Sequence, residues 1–186
     1  MMTELSLHVL DIAENSTKAK ASLVTVSVSI DTKADRLAIT IIDDGCGMTE
    51  EQVAHVTDPF FTTRTTRKVG LGVPFFKMAA EATGGQFSIT SAVGIGTTVC
   101  AEFGFSHIDR MPLGDMNATI RQLILMHQDC DFLYTYEYDG RGFALDTREV
   151  RELLGDVPLD TPEVSEYLKQ YLSENESEAN QGQNNI

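Results

Sequence analysis

Residues 3–18 place Leu5, Val9, Ile12 and Ser16 at i, i+4, i+7 and i+11, the spacing of one helical face. His8, Asp11, Asn15 and Lys18 follow a similar spacing beside it, so the predicted helix carries a polar stripe next to an apolar one. Between Ala21 and Ile30 the pattern changes to strict alternation, with Val24, Val26, Val28 and Ile30 against Leu23, Thr25, Ser27 and Ser29. This predicts a strand with one apolar face. Arg36 to Asp43 repeats the pattern after a short polar turn, which predicts an antiparallel hairpin. Thr49, followed by Glu50, Glu51 and Gln52, has the capping residue and early carboxylates of a helix start, giving a short helix to Val56. Little periodicity follows until a helix from about Val73 to Thr83, with Pro74 in its first turn and Gly84 and Gly85 as its stop. Two more alternating runs, Gln86 to Ser91 and Thr97 to Phe103, complete a first unit over residues 1–105.

A second unit is expected over residues 106–172. It comprises a helix from Asp115 to Gln128, a hairpin turning at Asp139 and Gly140, and short helices from Asp146 or Thr147 to Leu154 and from Thr161 to about Leu172. Tyr134, Tyr136 and Tyr138 share one strand face, where core or interface packing is the default. Beyond Ser173 only Ile186 is strongly apolar, and residues 173–186 are expected to be a disordered tail. The element order predicts an α/β fold of the α+β two-layer kind, a mainly antiparallel sheet with helices over one face.

Charge narrows the partners. The formal net charge is −14. Residues 1–105 hold 12 acidic and 8 basic side chains, and residues 106–186 hold 16 acidic and 6 basic, so the excess belongs mainly to the second part. Nucleic-acid binding needs clustered Lys and Arg, and is not expected. No run approaches the ~18 apolar residues of a membrane span, no signal peptide is visible, and Cys46, Cys100 and Cys130 form neither a disulfide framework nor a zinc pattern. A cytoplasmic protein is the expectation.

Three stretches carry candidate chemistry. Asp43 ends a strand and leads into Asp44, Gly45, Cys46, Gly47 and Met48. A turn is one reading. A close approach of backbone to a flat ring or a phosphate, with a carboxylate to accept from an amine, is the other. The polar stripe of the first helix is either a solvated face or a place for a metal ion and phosphates, since an amide, a carboxylate and an amine lie on it together. Residues 58–72 are rich in Thr, Arg and Lys and end in Gly70, Leu71 and Gly72 before a helix. That is a flexible joint or a phosphate site, where Arg64, Arg67 and Lys68 would add charge.

The order of these pieces resembles a family. Asp11 to Lys18 around Asn15, Asp43 to Met48, Asp58 to Arg64, and Gly70 to Gly72 resemble the N, G1, F and G2 boxes of the GHKL ATPases. That family includes gyrase B, the ninety-kilodalton heat-shock chaperone, sensor histidine kinases and the mismatch-repair ATPase. Gly84 to Ser91 and Gly96 to Thr98 are similar to the end of a histidine-kinase ATP domain, so the resemblance covers about residues 1–105. It implies ATP between a helical layer and loops, with Mg²⁺ held by Asn15. It also implies Lys18 on phosphate, Asp43 on the adenine amine, Gly45 and Gly47 under the base, Phe60 at the start of a lid, Gly70, Leu71 and Gly72 around the phosphates, and Thr97 near adenine. Asp11 stands where hydrolytic members and the anti-sigma serine kinases have Glu, one methylene longer, and where histidine kinases often have Asn. It is the candidate base. His8 is expected to cap or pack.

The resemblance departs in layout. Neither a phosphoacceptor helical hairpin before the ATP unit nor a gyrase-type transducer unit after it is expected, which is closer to stand-alone switch kinases. The expectation is therefore a kinase acting on a separate, unidentified protein. Alternatives are an ATP-gated binding switch with slow or no hydrolysis and a nucleotide-binding remnant without catalysis. A homodimer is left open.

Overall fold

The computed structural model describes residues 2–57 and 72–181. Its first elements are α1 (Leu5–Lys18), β1 (Leu23–Asp31), β2 (Arg36–Asp43), α2 (Glu50–Val56), α3 (Gly72–Ala82), β3 (Phe87–Ala92) and β4 (Gly96–Gly104). They continue with α4 (Met116–Met126), β5 (Asp131–Tyr138), β6 (Arg141–Asp146), α5 (Thr147–Leu154) and α6 (Pro162–Ala179). The six strands form one sheet in the order β3-β4-β2-β1-β5-β6. Every neighbouring pair is antiparallel except β1 and β5, which run parallel. A mainly antiparallel mixed sheet under helices is thus the architecture, as the alternating runs imply.

Period-two burial makes the core. Val24, Val26, Val28 and Ile30 of β1, Leu37, Ile39 and Ile41 of β2, and Phe132, Tyr134 and Tyr136 of β5 are each at most 1% exposed. Leu5, Val9 and Ile12 of α1, Phe76 and Ala80 of α3, Ile120 and Leu123 of α4, and Leu168 and Leu172 of α6 close over them. Tyr134, Tyr136 and Tyr138 are therefore core residues, as their shared strand face suggests.

The sequence leaves open whether the C-terminal elements stand apart. They do not: β5 lies beside β1 from Leu23–Asp131 to Ile30–Tyr138 and extends the same sheet. A second tie joins the two hairpin turns, where Asp139 accepts from Thr32 N (2.8 Å) and Thr32 Oγ1 (2.7 Å).

The expected disorder from Ser173 is overturned as far as Gln181. α6 continues to Ala179, and Ala179 and Asn180 are 4% and 5% exposed. This last stretch docks through polar groups. Tyr136 OH donates to Asn180 Oδ1 (2.8 Å), Asn117 Nδ2 donates to Glu176 Oε2, and Arg141 Nε donates to the Ala179 carbonyl (3.0 Å). Residues 182–186 lie outside the described part. Tyr136→Phe leaves the buried Asn180 oxygen without its donor and is expected to cost about 1–2 kcal/mol, readable as a lowered urea midpoint. An unchanged midpoint would mean that the end of α6 contributes nothing to the fold.

Among the described residues no helix is long and apolar enough to cross a membrane.

Candidate nucleotide site

Where α1, the end of β2 and the start of β4 converge, they enclose a cavity of about 400 Å³. That is the size of a small-molecule site. Ile41, Ile89, Val73 and Val99 give it apolar walls, and Asp43, Asn15 and Thr97 supply the polar groups. Asp43 and Thr97 are register partners on β2 and β4, so one strand pairing delivers both. Asn15 reaches the cavity from the third turn of α1.

The Asp43 carboxylate is held at both oxygens. Ser16 Oγ donates to Oδ2 (2.6 Å) and the Gly45 N–H donates to Oδ1 (2.9 Å). Each oxygen keeps a lone pair for a further donor. The adjoining loop is stitched in place by backbone bonds, from Cys46 N to the Ala19 carbonyl (2.9 Å) and from Gly94 N to the Cys46 carbonyl (2.8 Å). Gly47 is required here. Its φ is +66°, and a Cβ would stand 1.9 Å from the Ala92 carbonyl oxygen. Asp44 does a different task. Burial works to raise its carboxyl pKa, but hydrogen bonds from the Ser22 hydroxyl and the Leu23 and Ser22 amides outweigh it and hold it below the usual value. Asp44 is thereby committed to the start of β1.

Ser16 and Ser91 lie within the stretches that carry the resemblance, but it assigns neither of them a role. Ser16 reads as the end of an apolar stripe, and it is 3% exposed, but its hydroxyl aims Asp43. Ser91 Oγ accepts from Met48 N (2.8 Å), donates to the Gly96 carbonyl (2.8 Å) and lies 2.9 Å from Thr97 Oγ1. It fastens the loop after Asp43 to the strand carrying Thr97. Ser91 stands three positions before Gly94, and the sequence offers no sign of its partners.

Not every expected residue meets at the cavity. Lys18 is exposed and pairs with Glu14 at 3.4 Å on its own helix. Asp11 does not line the cavity. Its carboxylate packs against the head of α3, where a Cβ on Gly72 would lie 1.9 Å from Asp11 Oδ2. That oxygen is buried and has no hydrogen-bond partner among the described residues. Phe60, Arg64, Lys68, Gly70 and Leu71 lie outside the described residues.

His8, one turn before Asp11, takes the packing role expected of it. It is 1% exposed and stacks on Phe76 with ring centroids 5.7 Å apart. Burial lowers its pKa below the ordinary histidine value, against the opposing pull of the Gly72 backbone and the Asp11 charge. The unfolded chain therefore binds a proton here at higher pH than the folded one. The stability linked to His8 is whole above the ordinary value and is lost as pH falls through it. His8→Leu is expected to flatten the decline in melting temperature from about pH 7 to about pH 5 relative to the unsubstituted chain. Equal slopes for the two proteins would show that His8 titrates alike folded and unfolded.

Residues 3–107 match the model of the Histidine kinase-, DNA gyrase B-, and HSP90-like ATPase family. The chain belongs to this family. Its ATPase domain is of the histidine-kinase type: Sensor protein kinase FleS of Pseudomonas aeruginosa is 36% identical over 105 residues, 56% of this chain and 25% of that protein. Sensor histidine kinase YkoH of Bacillus subtilis is 30% identical over 89 residues, 45% of this chain and 20% of that one. The chain spans a quarter or less of the length of the curated relatives it matches. The Aquifex aeolicus MutL ATPase domain complexed with ADP shares the fold, with a TM-score of 0.53 at 16% identity over 83% of this chain and 70% of that one.

ATP binding follows from membership of this ATPase family, and the cavity fits a purine. It offers apolar walls for a flat ring and a carboxylate poised to accept from an exocyclic amine. Asn15 fits a magnesium ion, which favours oxygen ligands and keeps waters and substrate phosphates around it. The Asn15 amide is exposed at the cavity and makes no side-chain hydrogen bond to another described residue.

Proposed function

We propose that this ATPase domain is an ATP- and Mg²⁺-dependent protein kinase acting in trans, handing the γ-phosphoryl group to a separate protein. Phosphoryl transfer asks mainly for positioning and charge neutralisation. Asp43, aimed by Ser16 and Gly45, accepts from the adenine amine and fixes the base. Gly45 and Gly47 let the backbone pass close to it, and Thr97 borders it. Asn15 would hold Mg²⁺, and the ion when bound would supply charge neutralisation at the phosphates. Lys18, released from Glu14, turns to the phosphates. Gly72 heads α3, and Phe60, Arg64, Lys68, Gly70 and Leu71, which the family resemblance assigns to the lid and the phosphates, lie outside the described residues.

The observation that carries the kinase reading is the Asp11 carboxylate, one helical turn from Asn15, with an oxygen that no described donor engages. A carboxylate in that state can take the proton of an acceptor hydroxyl. A histidine acceptor would need no such base. The same geometry gives the alternative its support, because Asp11 lies against Gly72 and does not line the cavity. Unless the head of α3 moves, the domain is an ATP-gated binding switch with slow or no turnover.

The two readings separate on one assay. The protein is incubated with γ-labelled ATP and cell lysate, then resolved by gel. Label on a distinct protein supports the kinase. Saturable ATP binding with neither transfer nor hydrolysis rejects it in favour of the switch.

A further inference from the structure

Strand pairing sets three polar side chains in one line across the sheet. Ser91 of β3 is the register partner of Thr97 of β4, and Thr97 is the register partner of Asp43 of β2. Thr97 and Asp43 line the cavity, and Ser91 touches Thr97 without lining it. The hydrogens in this line can be counted. A hydroxyl has one hydrogen to give and two lone pairs to receive. Ser91 Oγ has three neighbours at hydrogen-bond distance: Met48 N at 2.8 Å, the Gly96 carbonyl oxygen at 2.8 Å and Thr97 Oγ1 at 2.9 Å. The Met48 N–H donates and takes one lone pair. The Gly96 carbonyl has no hydrogen of its own, so it takes the Ser91 hydrogen. One lone pair is left on Ser91, and the Thr97 contact is a hydrogen bond only if Thr97 donates. The Thr97 hydrogen is thereby spent inside the protein, and the hydroxyl keeps only lone pairs for a ligand.

Asp43 is in the same condition. Its two oxygens receive from Ser16 and Gly45, and a carboxylate has nothing to donate. This end of the cavity therefore presents two acceptors on residues directly opposite each other in neighbouring strands, where Cβ atoms stand about 5 Å apart. We infer that Ser91 is a positioning residue for base selection. By taking the Thr97 hydrogen it makes Thr97 an acceptor, and Thr97 and Asp43 together demand an amine at the edge of the ligand. The exocyclic amine of adenine has two hydrogens, one for each acceptor. A purine with a carbonyl at that place sets lone pairs against lone pairs, and a site built for donors rejects it strongly. The inference rests on the placement of adenine at Asp43 and is independent of where the phosphoryl group goes.

Isothermal titration of the full chain with ATP and with inosine triphosphate, both in magnesium buffer, tests it. The two nucleotides differ only in the base, where a carbonyl and a ring N–H replace the amine and the bare ring nitrogen. The unsubstituted chain is expected to prefer ATP by at least about 100-fold. Ser91→Ala frees the Thr97 hydroxyl to turn and donate, and the preference is expected to fall about tenfold. Ser91→Thr retains the hydroxyl and should retain the preference. In a Thr97→Val background Ser91→Ala should change the preference no further, because Ser91 acts through Thr97. A serine that only braces the loop would weaken both nucleotides alike, so an unchanged ratio in Ser91→Ala overturns the inference. So does a ratio near one in the unsubstituted chain. A misplaced base shows differently, as undiminished ATP affinity in Asp43→Asn, and removes the inference along with the placement.

Discussion

Asp43→Asn is expected to weaken ATP binding by roughly 100-fold or more, about 3 kcal/mol, in an isothermal titration. The carboxylate is an acceptor at both oxygens, and each already takes one protein donor, Ser16 Oγ on Oδ2 and Gly45 N–H on Oδ1. An amide has only one acceptor oxygen. With that oxygen towards Gly45, the NH₂ faces the Ser16 hydroxyl, which can rotate to accept. The same NH₂ then meets the exocyclic amine of adenine donor to donor. Flipping the amide sets it against the Gly45 N–H instead. The ligand-free fold loses little, because the hydroxyl adapts, so the melting temperature without ATP should move by only a few degrees. Normal ATP affinity in this variant would refute the placement of adenine at Asp43.

The second expectation concerns Asp11 and Gly72 as a pair. Gly72→Ala puts a Cβ 1.9 Å from Asp11 Oδ2 and 2.8 Å from its Cγ, so the carboxylate or the head of α3 must shift. A cost of about 1–3 kcal/mol is expected from such overpacking. Asp11→Ala removes the obstructing group, and the double variant should recover most of that loss in urea melts. The coupling would then appear as non-additivity of the two single changes. For chemistry, Asp11→Asn keeps the shape and removes the base. If the acceptor is a hydroxyl, transfer should fall by about 10²–10⁴-fold while ATP affinity stays within about threefold. Transfer at the original rate in Asp11→Asn would dismiss Asp11 as the base.

Much of this site can be read from the chain because its residues are local to their elements. Asn15 lies on one helix face, Asp43 at a strand end, and Thr97 at a strand start, and alternation or helical spacing places each one. Contacts between elements are what the pattern does not hold. Ser16 shares the stripe of Leu5, Val9 and Ile12, and only the approach of β2 to α1 turns its hydroxyl into a partner of Asp43. His8 sits at the spacing of a solvated stripe, and α3 covers it with Phe76. The end of α6 misleads for another reason. Residues 173–180 have no large apolar side chain, so hydropathy reads them as tail. They dock through Glu176 and Asn180, whose partners Asn117 and Tyr136 lie on α4 and β5.

The parallel ladder between β1 and β5 sets when the protein can finish folding. Strand β1 pairs with β2 on one side, but its other edge waits for a segment that begins at Asp131. On a ribosome the first four strands emerge while that edge is still bare, and an unpaired edge is a template for wrong partners. Closing it requires Val24 to find Phe132 after the intervening chain has been made, a contact of high order and slow formation. A chain halted after β4 would hold every box of the family motif and still leave one flank of its sheet exposed.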